Sequence, residues 1–214
     1  MDNLVWKDMQ NIFSQLKNIA EKNKEYYIEL DSIMGDGDLG LTMVSAFKAL
    51  AEFAESNTDD DIGLMIMKAG MAMAKAAPST MGTLMATGFM RGGKKLKGFD
   101  KIDITGMKDF WKAFVEGIMD RGKAKPGEKT IVDVLYPAAM AFEEAAARGS
   151  DMAGAMRCAK IAAQAGVEAT KNMVAQHGRA AYYQEKSKTL QDPGATVGSM
   201  VISIFSDYIN GDDE

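Results

Sequence analysis

The stretch Val5-Trp6-Lys7-Asp8-Met9-Gln10-Asn11-Ile12-Phe13-Ser14-Gln15-Leu16-Lys17-Asn18-Ile19 decides the fold class. Val5, Met9, Ile12, Phe13, Leu16 and Ile19 recur at three- and four-residue intervals, and lysines fill the other face. That is the period of an amphipathic α-helix. Outward from it, a second such stretch runs from about Asp60 to Lys75, and a third from Lys108 to Met119. Ala- and Met-rich segments of high helix propensity occupy 131–147 and 151–175, and a last helical stretch lies near Ala195–Ile209. Sustained apolar–polar alternation, the mark of strands, is nearly absent. The pattern predicts one all-α domain over residues 1–214, built of about seven or eight helices.

The four prolines punctuate this pattern. Pro78, Pro126 and Pro193 fall in gaps between helical stretches, whereas Pro137 lies inside one and should kink or break it. Each gap also carries small or polar residues, as in Pro78-Ser79-Thr80-Met81-Gly82 and Asp192-Pro193-Gly194-Ala195-Thr196. The acidic end, Asp212-Asp213-Glu214, is expected to be disordered. Eighteen methionines scattered along helical faces are expected to serve as flexible core filler.

Net charge is −5 and spread along the chain, so no basic face for nucleic acid emerges. The nearest candidate, Arg91-Gly92-Gly93-Lys94-Lys95-Leu96-Lys97, reads as a solvated loop. Cys158 is the sole cysteine, which excludes an internal disulfide and a cysteine zinc site; its Ala-rich surroundings predict a small core residue. The first residues lack the pattern of a signal peptide, and no apolar run reaches the roughly 18 residues of a membrane helix. A cytoplasmic protein without membrane contact is the expectation.

Chemistry concentrates in Leu30-Asp31-Ser32-Ile33-Met34-Gly35-Asp36-Gly37-Asp38-Leu39-Gly40. Three glycines in six positions break a helix and permit a tight loop in which Asp31, Asp36 and Asp38 can converge. Convergent carboxylates without His or Cys select a hard cation, Mg²⁺ in the usual case, and magnesium takes further ligands from phosphates. Gly-Asp-Gly-Asp by itself fits a solvated turn with helix-capping aspartates better. An EF-hand loop fits poorly, because Thr42 stands where its closing glutamate belongs.

The other gaps favour the phosphate reading. Leu41-Thr42 begins the helix after the aspartates, Ser79-Thr80 precedes another, and Asp192-Pro193-Gly194 turns into the last, so each can expose backbone N–H groups at a helix N-terminus. Arg179 follows Gly178 and can reach a phosphate with its planar fork.

Taken in order, these motifs resemble the ADP-binding L subunit of dihydroxyacetone kinase. The family's magnesium motif, approximately Leu-Asp-x3-Gly-Asp-x-Asp-His-Gly, is matched from Leu30 to Gly40 except at Leu39, where the family has histidine. Arg121-Gly122-Lys123-Ala124-Lys125-Pro126-Gly127-Glu128-Lys129-Thr130, Gly178-Arg179-Ala180 and Gln191-Asp192-Pro193-Gly194-Ala195 resemble its later motifs. The second departure is the phosphate loop, here Ala77-Pro78-Ser79-Thr80-Met81-Gly82, with less glycine than in the family.

The resemblance implies an eight-helix antiparallel barrel with the nucleotide, ADP or ATP, at one end. It implies that Asp31, Asp36 and Asp38 ligate two magnesium ions, and that Leu39, Gly40, Leu41 and Thr42, with Ser79 and Thr80, line the phosphates. Gly122 and Ile131 would border the adenine, Arg179 would contact phosphate as the catalytic cation, and Asp192, Pro193 and Gly194 would close the site. The acceptor would be held on a separate K subunit through a histidine this chain lacks. His177, the only histidine, is assigned a structural or solvent role. The phosphoryl donor would be ATP or a phosphotransferase-system protein, and the assembly a homodimer or hetero-oligomer. Three other readings stand beside this one. They are a non-catalytic Mg-ADP regulatory module, a helical scaffold whose acidic loop only caps helices, and the nucleotide domain of a fatty-acid-kinase-like system.

Overall fold

Several helices open on the side chain that chemistry asks of a helix start. Four backbone N–H groups are left without partners at a helix N-terminus, and short oxygen-bearing side chains satisfy them. In the computed structural model, which describes residues 1–212, Asp61 accepts from the Leu64 N–H at 2.8 Å and opens the helix Ile62–Ala76. Ser79 accepts from Gly82 at 3.1 Å, Asp151 from Gly154 at 2.7 Å, and Asp192 from Ala195 at 2.7 Å, each opening a helix. Of the acidic end, Asp213 and Glu214 lie outside the described residues.

In chain order the helices are α1 (Trp6–Lys22), α2 (Lys24–Ser32), α3 (Leu39–Ser56), α4 (Ile62–Ala76) and α5 (Thr80–Lys95). Then follow α6 (Ile104–Gly122), α7 (Val132–Ala147), α8 (Met152–Thr170) and α9 (Pro193–Asn210), with a 3₁₀ segment at Arg179–Ser187 between the last two. The protein is all-α. Among the described residues there is no strand, only an isolated antiparallel bridge between Leu4 and Ile102. No helix there is long and apolar enough to cross a membrane.

Several details differ from the sequence pattern. Val5 is the N-cap of α1 and 47% exposed; Trp6 takes the buried place, so the apolar stripe begins one residue later. Pro193 is the first residue of α9 rather than part of the gap, a position where its missing N–H costs no hydrogen bond. α7 runs without a break through Pro137. Arg91 to Lys95 are not a solvated loop but the end of α5, because Gly92 and Gly93 are buried against neighbouring helices. Cys158 is exposed, not core: in α8 the buried face holds Ala155, Met156, Ala159 and Ala163, and position 158 is out of phase with it.

Packing divides the chain into two units. The first comprises Met1–Lys24 and Leu41–Gly122. Its core is aromatic, with Phe13 edge-on to Phe89 at 5.6 Å, Phe89 to Phe114 at 5.1 Å, and Trp111 to Phe110 at 5.1 Å. Burying each of these rings is worth about 1.5–3 kcal/mol relative to leaving it exposed. Glycine lets α5 approach them: a Cβ on Gly88 would sit 2.7 Å from the Phe114 ring, and one on Gly92 2.6 Å from Phe110.

The second unit comprises Glu25–Gly40 and the chain from Lys123 onward. Here α7, α8 and α9 pack on one another around Val134, Phe142, Met156 and Phe205. This unit also contains the acidic loop and the 3₁₀ segment with Arg179.

Candidate functional site

The last turn of α2 brings Asp31 to the edge of the glycine loop. Its backbone carbonyl accepts from the N–H of Met34 at 3.2 Å and of Gly35 at 2.6 Å, closing the helix. Its carboxylate folds over the loop and accepts from the Asp38 N–H at 3.1 Å. Gly35 must be glycine for this: a Cβ there would lie 2.2 Å from Asp31 Oδ1. Gly37 sits at φ +71°, a region that residues with a Cβ rarely adopt, and it turns the chain back toward Asp38.

The result is convergence. Asp31, Asp36 and Asp38 each present an oxygen, all within 4.8 Å of one another. Asp31 is half-buried, while Asp36 and Asp38 are exposed. The Asp38 carboxyl is pushed above the usual carboxylate range, first by desolvation, then by the charges of Asp36 and Asp31, with Arg179 partly opposing. Arg179 Nη2 stands 2.8 Å from Asp36 Oδ2. Both side chains are well exposed, so the pair adds little to stability, on the order of 0–1 kcal/mol. What it does is place a cation beside the carboxylates. Three hard oxygen donors with one adjacent guanidinium fit a hard divalent cation carrying phosphates.

The remaining sequence-derived residues sort as follows. Leu39 and Gly40 are buried and open α3, followed in its first turn by exposed Leu41 and half-buried Thr42. Leu41 and Thr42 are counted with the first unit, as are Ser79, Thr80 and Gly122. Ser79 uses its hydroxyl as the cap of α5, and Thr80 is the exposed residue after it. Gly122 ends α6 in van der Waals reach of Leu84. Ile131 is buried in the second unit, next to Gly198 of α9. The structure thus joins Asp31, Asp36, Asp38 and Arg179 in one cluster.

Asp192, Pro193 and Gly194 form the buried start of α9. Asp192 is 7% exposed, its N–H donates to Thr170 Oγ1 at 3.2 Å, and Gln191 beside it donates to the Tyr26 hydroxyl at 3.1 Å. Burial pushes the Asp192 carboxyl up to about 7. The Ala195 N–H and the charge of Lys129 work against that rise, while Asp133 adds to it.

Sequence reasoning missed Lys129 and Asp133. Lys129 is buried, and its ammonium donates to the carbonyls of Thr170 at 2.8 Å, Ser187 at 2.7 Å and Leu190 at 2.6 Å. All three of its donors are satisfied. Asp133 accepts from the N–H groups of Gly127 at 2.5 Å and Thr130 at 2.7 Å. One signal was legible: a lysine just before a helix N-terminus stands where the helix dipole disfavours cations. His177 stands with Nε2 2.7 Å from Glu128 Oε2, and this bond holds the Glu128 carboxyl below the usual range.

Residues 33–207 match the family model of the DAK2 domain. The ADP-binding subunit DhaL of the PEP-dependent dihydroxyacetone kinase of Escherichia coli (strain K12) is 30% identical over 186 residues, 87% of this chain and 89% of that one. The corresponding subunit of dihydroxyacetone kinase 1 from Listeria innocua is 31% identical, over 82% of this chain and 83% of its own. Among solved structures, the dihydroxyacetone kinase of C. freundii superposes with a TM-score of 0.69 at 21% identity, over 92% of this chain. The match spans 34% of that longer chain and shows a shared fold. A second structure of that kinase, in complex with AMP-PNP and Mg²⁺, gives 0.68 at 22% identity. The order of the motifs, the helical fold and the match over most of the chain agree, and this protein belongs to the DAK2-domain family, that of the ADP-binding L subunits of dihydroxyacetone kinases.

Proposed function

We propose that this chain is the nucleotide-binding subunit of a dihydroxyacetone-type kinase, holding Mg-ADP or Mg-ATP and working in the cytoplasm. One observation carries the reading: carboxylate oxygens of Asp31, Asp36 and Asp38 converge within 4.8 Å, with Arg179 paired to one of them. The three carboxylates would hold Mg²⁺, two ions in the fullest version. Bound there, the metal supplies charge neutralisation for the phosphates. The chain's own work is positioning. The loop built on Gly35 and Gly37 fixes where the carboxylates point, Arg179 presents a planar fork to phosphate oxygens, and the N–H groups of Leu39 to Leu41, in the first turn of α3, have no intrahelical acceptors. Phosphoryl transfer needs little else from a protein than placement and charge.

Relatives are named as subunits of a kinase. On that ground the acceptor is a small ketose held by a separate K-type subunit, and the donor is ATP or a phosphotransferase-system protein. Ser79 and Thr80 would serve the phosphates, Gly122 and Ile131 the adenine, and Asp192 to Gly194 the closure of the site. Titration calorimetry of the purified chain with ADP, with and without EDTA, tests the core of this reading. Binding that requires Mg²⁺ or Mn²⁺ is expected, and binding unchanged in EDTA would overturn it. Ketose phosphorylation should then appear only when a substrate-binding subunit is added. Turnover by the chain alone contradicts the division of labour.

A further inference from the structure

Arg179 sits on an arm whose two ends are held by adjacent residues of another loop. The arm runs from 176 to 190 and carries Arg179 near its beginning. At its first end the Glu128 carbonyl accepts from the Gln176 N–H at 3.2 Å, and the Glu128 carboxylate meets His177 Nε2 at 2.7 Å. At its far end Lys129 takes the carbonyls of Ser187 and Leu190 and, with its third proton, that of Thr170 at the end of α8. The holding loop is itself set from below. Asp133 of α7 accepts from Gly127 and Thr130, and the Glu128 carboxylate accepts from the Lys125 N–H at 2.7 Å.

Backbone strain is concentrated in the same place. Lys129 at φ +59°, Gln184 at +47° and Thr189 at +69° are non-glycine residues in the left-handed region, and Thr189 is β-branched. Such conformations persist only where the surroundings over-determine them. Here the surroundings are the carbonyl bonds of Lys129 and the bond from the Thr189 N–H to the Lys171 carbonyl at 2.7 Å. An arm of this length with no fixed ends would let an exposed arginine range widely. Closed at both ends, it delivers the guanidinium to Asp36.

We propose that Glu128 and Lys129 are positioning residues for Arg179: they touch no substrate, and they set phosphate affinity by fixing the arm that brings Arg179 to the carboxylate cluster. This rests on the nucleotide reading of the site given above. A purely structural staple is the competing account, and non-additivity separates the two.

Mg-ADP affinity would be measured by calorimetry on the full chain for wild type, Arg179→Gln, Glu128→Gln, Lys129→Met, and each of the last two combined with Arg179→Gln. Lys129→Met should weaken binding about tenfold and Glu128→Gln roughly threefold, with neither weakening it further once Arg179 is gone. Equal losses with and without Arg179, or single variants at wild-type affinity, overturn the proposal. If circular dichroism shows that Lys129→Met does not fold, the partly exposed Glu128 pair decides alone. A wild-type chain without Mg-dependent ADP binding defeats the underlying reading and this proposal with it. Weakening by Arg179→Gln, with the other two single variants unaffected, defeats only the proposal.

Discussion

The guanidinium of Arg179 lies 2.8 Å from the Asp36 carboxylate, joining two motifs from opposite ends of the sequence at one charged centre. Because both side chains are exposed, the pair can be cut without endangering the fold. Asp36→Asn should leave the melting temperature nearly unchanged while weakening Mg-nucleotide binding by at least about tenfold. Calorimetry and a thermal melt on the same sample check this. A large loss of melting temperature with affinity retained would instead favour the role of the loop as a helix cap.

Gly35→Ala tests the loop rather than its charges. The new Cβ would meet Asp31 Oδ1 at 2.2 Å, so the carboxylate must swing away and release the Asp38 N–H. Mg-ADP affinity is expected to fall roughly tenfold or more although no charge is removed. Affinity equal to wild type would show that the Asp31 orientation does not matter to the site.

Leu39→His restores the residue that the family motif carries. Leu39 is 5% exposed at the head of α3, so an imidazole there is largely stripped of water and its N–H can be directed to a phosphate oxygen. A hydrogen bond to a charged group is worth about 1.5–3 kcal/mol, one to two decades in affinity. Stopped-flow displacement at fixed Mg²⁺ should show slower ADP release in the variant, at the cost of a lower melting temperature. An unchanged or faster off-rate with the fold intact would show that the missing imidazole is compensated elsewhere in the site.

Asp192 makes stability depend on pH. Its folded pKa is about 7, above the ordinary carboxylate value, so the folded state binds the proton more tightly than the unfolded chain. The stabilisation is complete below about pH 4, is lost as pH rises through 7, and amounts to at most about 4 kcal/mol. Asp192→Asn keeps an oxygen for the Ala195 N–H and removes the titration. Urea unfolding at pH 5, 6, 7 and 8 should show wild type losing ground to the variant as pH rises. Parallel curves would mean that Lys129 compensates the charge fully.

Cys158 offers a check on the phase of α8. As an exposed thiol it should react stoichiometrically with an aromatic disulfide reagent in the native state, at a rate little changed by denaturant. Protection until unfolding would place it in the core, as its Ala-rich neighbours suggested.

The helices were legible because burial repeats with the helical period: Met9, Ile12, Phe13 and Leu16 all lie in the core. Their ends were less so. Val5 and Pro193 belong to caps and first turns, where hydrogen bonding rather than hydrophobicity decides. Gly92 and Gly93 looked like loop residues because glycine disfavours isolated helices, yet α5 uses them for close approach to its neighbours.

By itself the sequence determined what is local: the all-α class, the glycine loop that lets Asp31, Asp36 and Asp38 converge, and the family to which the motifs belong. These follow from periodicity and backbone freedom within a few residues of each position. Tertiary structure alone decided that Arg179 meets Asp36, that Asp192 is a buried cap with a raised pKa, and that Lys129 binds Thr170, Ser187 and Leu190. Each of these joins residues distant in the chain, and the burial and charge that set their chemistry exist only once the helices have packed.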